Sequence, residues 1–254
     1  TKGAYINFFI DRKNFSSEVL RKISVETDDF GKTSAGKEKI MIEFSQPNTH
    51  KAFHVGHIRG TSLGESLSRI LEFCGNKVIR ANYQGDTGMH VAKWLWCYKK
   101  YHAKEKLKED ESWVAGIYVE AVKKSSKSVK AENEIKEINR KLGTKEDSNL
   151  NALWEKTKKI SLKSLEKIYK QLNTRFDVYF FESETEEKAK KIIEELIKKR
   201  IAEVSEGAVI VDLNKYNLGV WVLLRSDKTV LYSGKDLALA EEKFTNYKLD
   251  KSIY

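Results

Sequence analysis

The stretch Glu43-Phe-Ser-Gln-Pro-Asn-Thr-His-Lys-Ala-Phe-His-Val-Gly-His57 decides the fold. It follows an apolar run, Ile40-Met41-Ile42, and begins with a carboxylate where a buried strand would carry another hydrophobe. It passes through Pro47, the only proline of the chain, and ends on two histidines separated by Val-Gly. Beyond it Leu63, Leu67, Ile70, Leu71 and Cys74 recur at helical spacing, and Gly75 is placed to stop that helix. Lys77 to Tyr83 reads as a second strand. Strand, polar loop, helix and strand make a right-handed parallel crossover, which puts the loop at the carboxyl edge of the sheet.

That position sets the loop's chemistry. A helix starting near Val55 or Gly56 presents unpaired N–H groups and partial positive charge to an anion. Gly56 lets a ligand approach the backbone, and His54 and His57, three apart on one helical face, can donate to the same phosphate oxygens. Lys51 adds a point charge on the rim. These donors suit a phosphoryl-like transition state better than a covalent intermediate. Three rival readings exist. A zinc pair is disfavoured because no Cys or further His stands at ligand spacing, so no metal ligands are assigned. Plain surface histidines fit poorly with three of five His falling within eight residues. Gly31-Lys-Thr-Ser-Ala-Gly-Lys-Glu38 has the spacing of a phosphate-binding loop, but Glu38 stands where Ser or Thr is needed and a strand follows instead of preceding it.

The run from Glu43 to Arg59 resembles the signature region of class I aminoacyl-tRNA synthetases, the arginyl enzymes in particular. The shared elements are His54-Val-Gly-His57 and, more specific, Ser45-Gln-Pro-Asn48. Asn82-Tyr-Gln-Gly-Asp86 matches a further family segment, with Thr87 where a Trp is common. The resemblance implies an α/β fold: a class I Rossmann-type parallel sheet interrupted by a mostly helical insertion and preceded by the tail of an N-terminal appended domain. The expected division is 1–25 for that tRNA-contacting tail, 38–100 for the first Rossmann half, 101–205 for the insertion and 206–254 for the start of the second half.

The hydrophobic content, 40% of 254 residues, is ample for a core, and 47 Lys and Arg against 37 Asp and Glu give +10, which suits a polyanionic partner without demanding one. Cys74 and Cys97 read as thiols in a reducing compartment, and with no apolar run of membrane length the expected location is the cytoplasm. Tyr5–Ile10 is strand-like, and Ser16 or Ser17 is a candidate cap for a short helix. Lys123 to Lys145 is polar enough to be a mobile excursion, after which Leu150 to Ile168 returns to helical spacing. Ala208–Asp212, Val220–Arg225 and Thr229–Tyr232 read as strands, with a helix from Glu186 to Arg200 before them.

By resemblance Glu182, after the aromatic run Phe176–Phe181, delivers a carboxylate to the substrate guanidinium. Read without the family, Ser183 and its acidic neighbours are a helix cap. Tyr232-Ser-Gly-Lys-Asp236 resembles the family's Tyr-x3-Asp element. The implied activity is formation of arginyl-adenylate from L-arginine and ATP with Mg2+, then charging of tRNA-Arg by an enzyme monomeric at full length. His54, Gly56, His57 and Lys51 are the ATP-binding candidates, and Lys51, His54 and His57 the catalytic ones. Glu43, Ser45, Gln46, Asn48, His57, Glu182, Tyr232 and Asp236 are the arginine-binding candidates. The family's second signature loop, its anticodon-binding domain and a glutamine are expected beyond Tyr254, so these 254 residues alone are not expected to charge tRNA. Two other functions fit the pattern: a small-molecule nucleotidyltransferase with the same His-x-Gly-His element, and a non-catalytic RNA-binding module.

Overall fold

The structure is a computed structural model describing residues 3–33, 36–126 and 128–254. In chain order the elements are α1 (Arg12–Glu26), β1 (Lys39–Glu43), α2 (Val55–Phe73), β2 (Lys77–Gln84) and α3 (Met89–Cys97), which runs into a π-helical turn at Tyr98–His102. Then come α4 (Glu111–Ser125), α5 (Val129–Thr144), α6 (Ser148–Gln171), β3 (Val178–Phe181), α7 (Glu182–Lys198), β4 (Glu203–Ser205), β5 (Ala208–Asp212), β6 (Val220–Leu224), α8 (Tyr232–Tyr247) and β7 (Lys251–Ile253).

Four strands form one parallel sheet in the order β3-β2-β1-β7. β1 is enclosed on both faces, as a continuous apolar run in a parallel sheet requires. Met41 packs with Ala81, Phe180 and Leu239 on the α8 side, while Ile40, Ile42 and Phe44 pack with Leu67 and Leu71 of α2 on the other. The predicted α2 exists and stops at Gly75, whose φ of 89° supplies the left-handed turn. Its buried stripe differs from the expected one. Leu63 and Ile70 are exposed, and Thr61, Gly64, Glu65 and Ser68 are buried instead. Small residues let the helix lie close to β1: a Cβ at Gly64 would stand 2.1 Å from the Phe44 ring. Glu65 is buried to meet Arg80 of β2, which is 1% exposed and also paired with Glu72 at 2.6 Å. That cluster ties α2 to the sheet.

Helices α3 to α6 share a core of their own, built on Trp94, Leu95, Ile117, Ile135, Leu150 and Trp154. The polar tract expected to be mobile holds α5 instead. Ser128 caps that helix, and its thin apolar stripe, Ala131, Ile135 and Leu142, is enough to dock it against α3. Val178–Phe181, placed by sequence inside the insertion of 101–205, pairs with β2 in the parallel sheet. The Rossmann unit therefore resumes at β3.

β4, β5 and β6 form a separate antiparallel sheet, of which β4 was not anticipated. Thr229–Tyr232 is not a strand: only Val230 bridges to Leu224, and α8 starts at Tyr232. α7 starts four residues earlier than expected, at Glu182. At the N-terminal end Asp11, not Ser16 or Ser17, caps α1, accepting from Lys13 N and Asn14 N. Ile6–Ile10 forms no strand and is exposed. Ser34 and Ala35, in the rejected phosphate-loop pattern, lie outside the described residues. Among the described residues no helix is long and apolar enough to cross a membrane.

Candidate active site

The loop between β1 and α2 is forced into an unusual backbone. Ser45, Gln46 and His50 have φ of 73°, 51° and 62°, a region that costs a non-glycine residue roughly 1 kcal/mol each. Tertiary bonds hold it there. Thr49 N donates to Gly85 O at 2.9 Å, His50 N to Ser161 Oγ at 3.0 Å, and Phe53 N to Glu111 Oε1 at 2.9 Å. Ser45 Oγ donates to the buried Tyr169 hydroxyl at 3.1 Å, which also accepts from Asn82 Nδ2 at 2.9 Å. Gly85 permits a close crossing, since a Cβ there would lie 2.1 Å from Asn48 Oδ1.

The three clustered histidines divide into two jobs. His50 is fully buried between Thr49 Oγ1 and Thr157 Oγ1, each at 2.9 Å, and burial pushes its pKa down to about 3. It is a neutral strut. His54 and His57 stack with ring centroids 3.8 Å apart and form a reciprocal cap. His54 Nδ1 accepts from Gly56 N at 3.1 Å, and His57 Nδ1 accepts from His54 N at 3.3 Å. With Nδ1 the acceptor, each neutral ring carries its proton on Nε2, free to donate to a ligand. Burial, then His54 and Lys51, hold His57 below the usual histidine range. The backbone part of the expectation needs correction. Gly56 N is taken by His54 Nδ1, and His57 N and Ile58 N both bond to His54 O, so the first turn of α2 offers few open amides. Lys51 is half-buried, 5.4 Å from the centre of the Tyr118 ring. Its pKa is lowered by burial and by Lys93.

Three carboxylates gather at the same sheet edge. Glu43 ends β1, Glu182 opens α7 and Asp236 lies in the first turns of α8. Burial and the charges of Glu43 and Glu182 raise the pKa of Asp236, against an opposing pull from Lys243. The Tyr83 hydroxyl, raised chiefly by burial and also by the three carboxylates, bonds with Thr185 Oγ1 at 3.2 Å. Lys235 Nζ reaches Glu182 Oε2 at 3.3 Å. Asn48 and Glu182 both approach Gly85, which joins the histidine loop to this acidic group. Tyr232 stands apart: it is 76% exposed, one turn before Asp236. Gln46 presents its side chain to Glu43 Oε1 at 2.5 Å.

Residues 19–254 match the family described as tRNA synthetases class I (R), catalytic domain. The chain belongs to this family. Arginine–tRNA ligases of Clostridium acetobutylicum and Clostridium perfringens are each 37% identical to it, across 99% of this chain and 45% of theirs. The chain thus spans less than half the length of these curated relatives. Among solved structures, the Thermus thermophilus arginyl-tRNA synthetase superposes with a TM-score of 0.71 at 25% identity, covering 95% of this chain and 41% of that one. The Plasmodium falciparum arginyl-tRNA synthetase, at 21% identity and a TM-score of 0.70, covers 96% of this chain and 43% of its own, and shares the fold.

Within this arginyl-type catalytic domain the sequence missed two buried groups. Asp86 is wholly enclosed and holds Lys158 Nζ at 2.5 Å, Ser183 N at 2.9 Å and Ser183 Oγ at 2.6 Å. It therefore clamps α6 of the insertion and the first turn of α7, where Glu182 sits. Ser183, read as a possible helix cap, serves this clamp. Lys243 of α8 is 0% exposed. Asp86 stood in a recognised segment, but neither pairing had a local signal, because the partners are 72 and 200 residues away in sequence. In the insertion, ligand atoms of Cys97, His102 and Glu120 lie within 4.8 Å of one another. His102 already bonds Glu105 at 2.6 Å and Glu120 at 2.9 Å, and burial pushes the Cys97 thiol up to about 12, as suits an ion-paired cluster.

Proposed function

We propose that this chain is the amino-acid-activating part of an arginine–tRNA ligase. The observation that carries the reading is the convergence of Glu182 and Asp236 at the carboxyl edge of the sheet, with Asp236 held above the usual carboxylate range. Lys235 reaches only Glu182 of the two, and a guanidinium supplies paired donors that suit both carboxylates. Asn48, Ser45, Gln46 and Glu43 shape the part of the pocket toward the histidine loop. Tyr232 joins the pocket by turning inward from its exposed position.

The chemistry is nucleotidyl transfer. The arginine carboxylate oxygen attacks the α-phosphorus of ATP, the bond to the β-phosphate oxygen breaks, and pyrophosphate leaves with that electron pair. His54 and His57 donate from Nε2, and Lys51 places its charge, where phosphoryl oxygens gain negative charge in the transition state. Gly56 keeps the approach open. Mg2+ enters with the triphosphate as its counterion, and no side chain of this chain is assigned to it. No side chain acts as nucleophile. The terminal hydroxyl of tRNA-Arg then attacks the adenylate carbonyl and releases AMP.

Arginine-dependent exchange of pyrophosphate into ATP by the full-length protein, with tRNA-Arg present, tests the proposal. Exchange is expected with arginine and not with lysine or citrulline. Equal exchange with citrulline, which is neutral, would overturn the carboxylate assignment.

A further inference from the structure

Lys243 is an anomaly that the proposed chemistry does not use. A lysine is almost never fully enclosed unless paired, yet this one is 0% exposed. Its ammonium lies 2.5 Å from Glu43 Oε2, itself on a side chain only 2% exposed. Phe180 and Tyr254 present rings at 5.8 and 4.1 Å, and Asp236 is near enough to feel its charge. No hydrogen bond of good geometry completes the Lys243 ammonium or Glu43 Oε2. The pair is therefore held mainly by charge, a costly arrangement that is poor evidence for stability. The other Glu43 oxygen accepts from Gln46, one of the two adjoining residues with left-handed backbone.

We propose that Lys243 is a positioning residue for the amino-acid pocket. Its enclosed ammonium pins Glu43 beneath the Ser45–Gln46 turn and withdraws that charge, so that Glu182 and Asp236 alone meet the ligand's cationic end. The inference rests on the arginine-activating reading above.

A guanidinium carries one positive charge. Three free carboxylates would repel one another, and the one at the end of β1 would compete for the ligand from the wrong side. With Glu43 occupied on both oxygens, it cannot swing toward the substrate, and the strained turn that carries Ser45 and Asn48 keeps its shape. Lys235, 13% exposed and touching only the entrance carboxylate, does a different job: a ligand can displace it from Glu182. Lys243, enclosed on all sides, is not displaceable.

The test is steady-state pyrophosphate exchange, with tRNA-Arg present, by the full-length protein carrying Lys243→Met, Lys243→Arg, Glu43→Gln, or Glu43→Gln with Lys243→Met. Melting temperatures are taken alongside. Lys243→Met should raise the arginine KM roughly ten-fold or more while the ATP KM stays within about two-fold, and Lys243→Arg should recover most of the loss. In the Glu43→Gln background, removing Lys243 should change the arginine KM several-fold less than the roughly ten-fold expected in the unaltered protein, because its main effect passes through Glu43 and only its direct pull on Asp236 remains. That comparison also holds if the single methionine variant fails to fold. An unchanged arginine KM in folded Lys243→Met, equal shifts in both KM values, or a further large loss in the Glu43→Gln background would overturn the inference. If the unaltered protein shows no arginine-dependent exchange, the proposed function fails first.

Discussion

At the scale of single residues, charge state is set by what encloses each group. Asp236 is pushed up by burial and by two neighbouring carboxylates, a state that a bound cation relieves. We predict that Asp236→Asn weakens arginine binding by about 2–4 kcal/mol and leaves ATP binding nearly unchanged. Titration calorimetry with each ligand checks this, and tight arginine binding by the variant would refute it. His57→Ala should lower the activation rate by about two orders of magnitude, the scale of one lost transition-state donor, with little change in melting temperature. His50 gives a pH prediction. Its folded pKa of about 3 lies below the ordinary 6.5, so the unfolded chain binds the extra proton. Stability from this group is full above pH 6.5 and is lost as pH falls from 6.5 toward 3, by on the order of 2 kcal/mol at pH 5. His90, pushed down to about 4 by burial and Lys51, adds in the same direction. Melting curves at pH 7 and 5 should show the drop, and His50→Gln should show less of it.

Elements meet here through contacts that hydrophobic periodicity does not encode. α2 approaches β1 on glycine and hydroxyl residues, and we predict that Gly64→Ala costs at least 1–3 kcal/mol, since its methyl would enter the Phe44 ring. Chemical denaturation measures this; an unchanged midpoint would mean that the helix lifts off without penalty. The clamp at Asp86 joins β2, α6 and α7. Asp86→Asn should destabilise the chain by roughly 3–5 kcal/mol because it leaves Lys158 enclosed without a counter-charge. Combining it with Lys158→Met should cost less than Asp86→Asn alone. If the two losses simply add, the clamp is not a coupled unit.

For the whole molecule, the candidate site lies at the edge of the parallel sheet, and helices outside that sheet hold its loop in place. The insertion reaches the loop through Glu111, Thr157 and Ser161, so the fold of a segment remote in sequence sets the histidine geometry. The net charge of +10 favours the polyanionic partner that the proposed function requires. Binding of tRNA-Arg should weaken ten- to hundredfold, roughly, as salt rises from about 50 to 200 mM. A filter-binding series over that range would show a flat response if the charge were unrelated to RNA.

What the sequence determined by itself was local. The strand–loop–helix–strand order, the stop at Gly75, the aromatic strand before Glu182 and the two-histidine element follow from residue types at short spacing, where a period or a glycine decides the backbone. The family was legible for the same reason, since Ser45 to His57 and Asn82 to Asp86 are contiguous. What only the tertiary structure decided depended on distance along the chain. Leu63 and Ile70 look like core, yet Gly64 and Ser68 take the sheet because Phe44 fills the space beside them. The tract 123–145 looks too polar to fold, yet three apolar residues suffice once α3 gives them a surface. His50 and Lys243 read as ordinary polar residues, and Thr157 and Glu43, each more than a hundred residues away, help make them neutral strut and enclosed cation. Burial and charge pairing are properties of neighbours in space, and a pattern along the chain cannot name those neighbours.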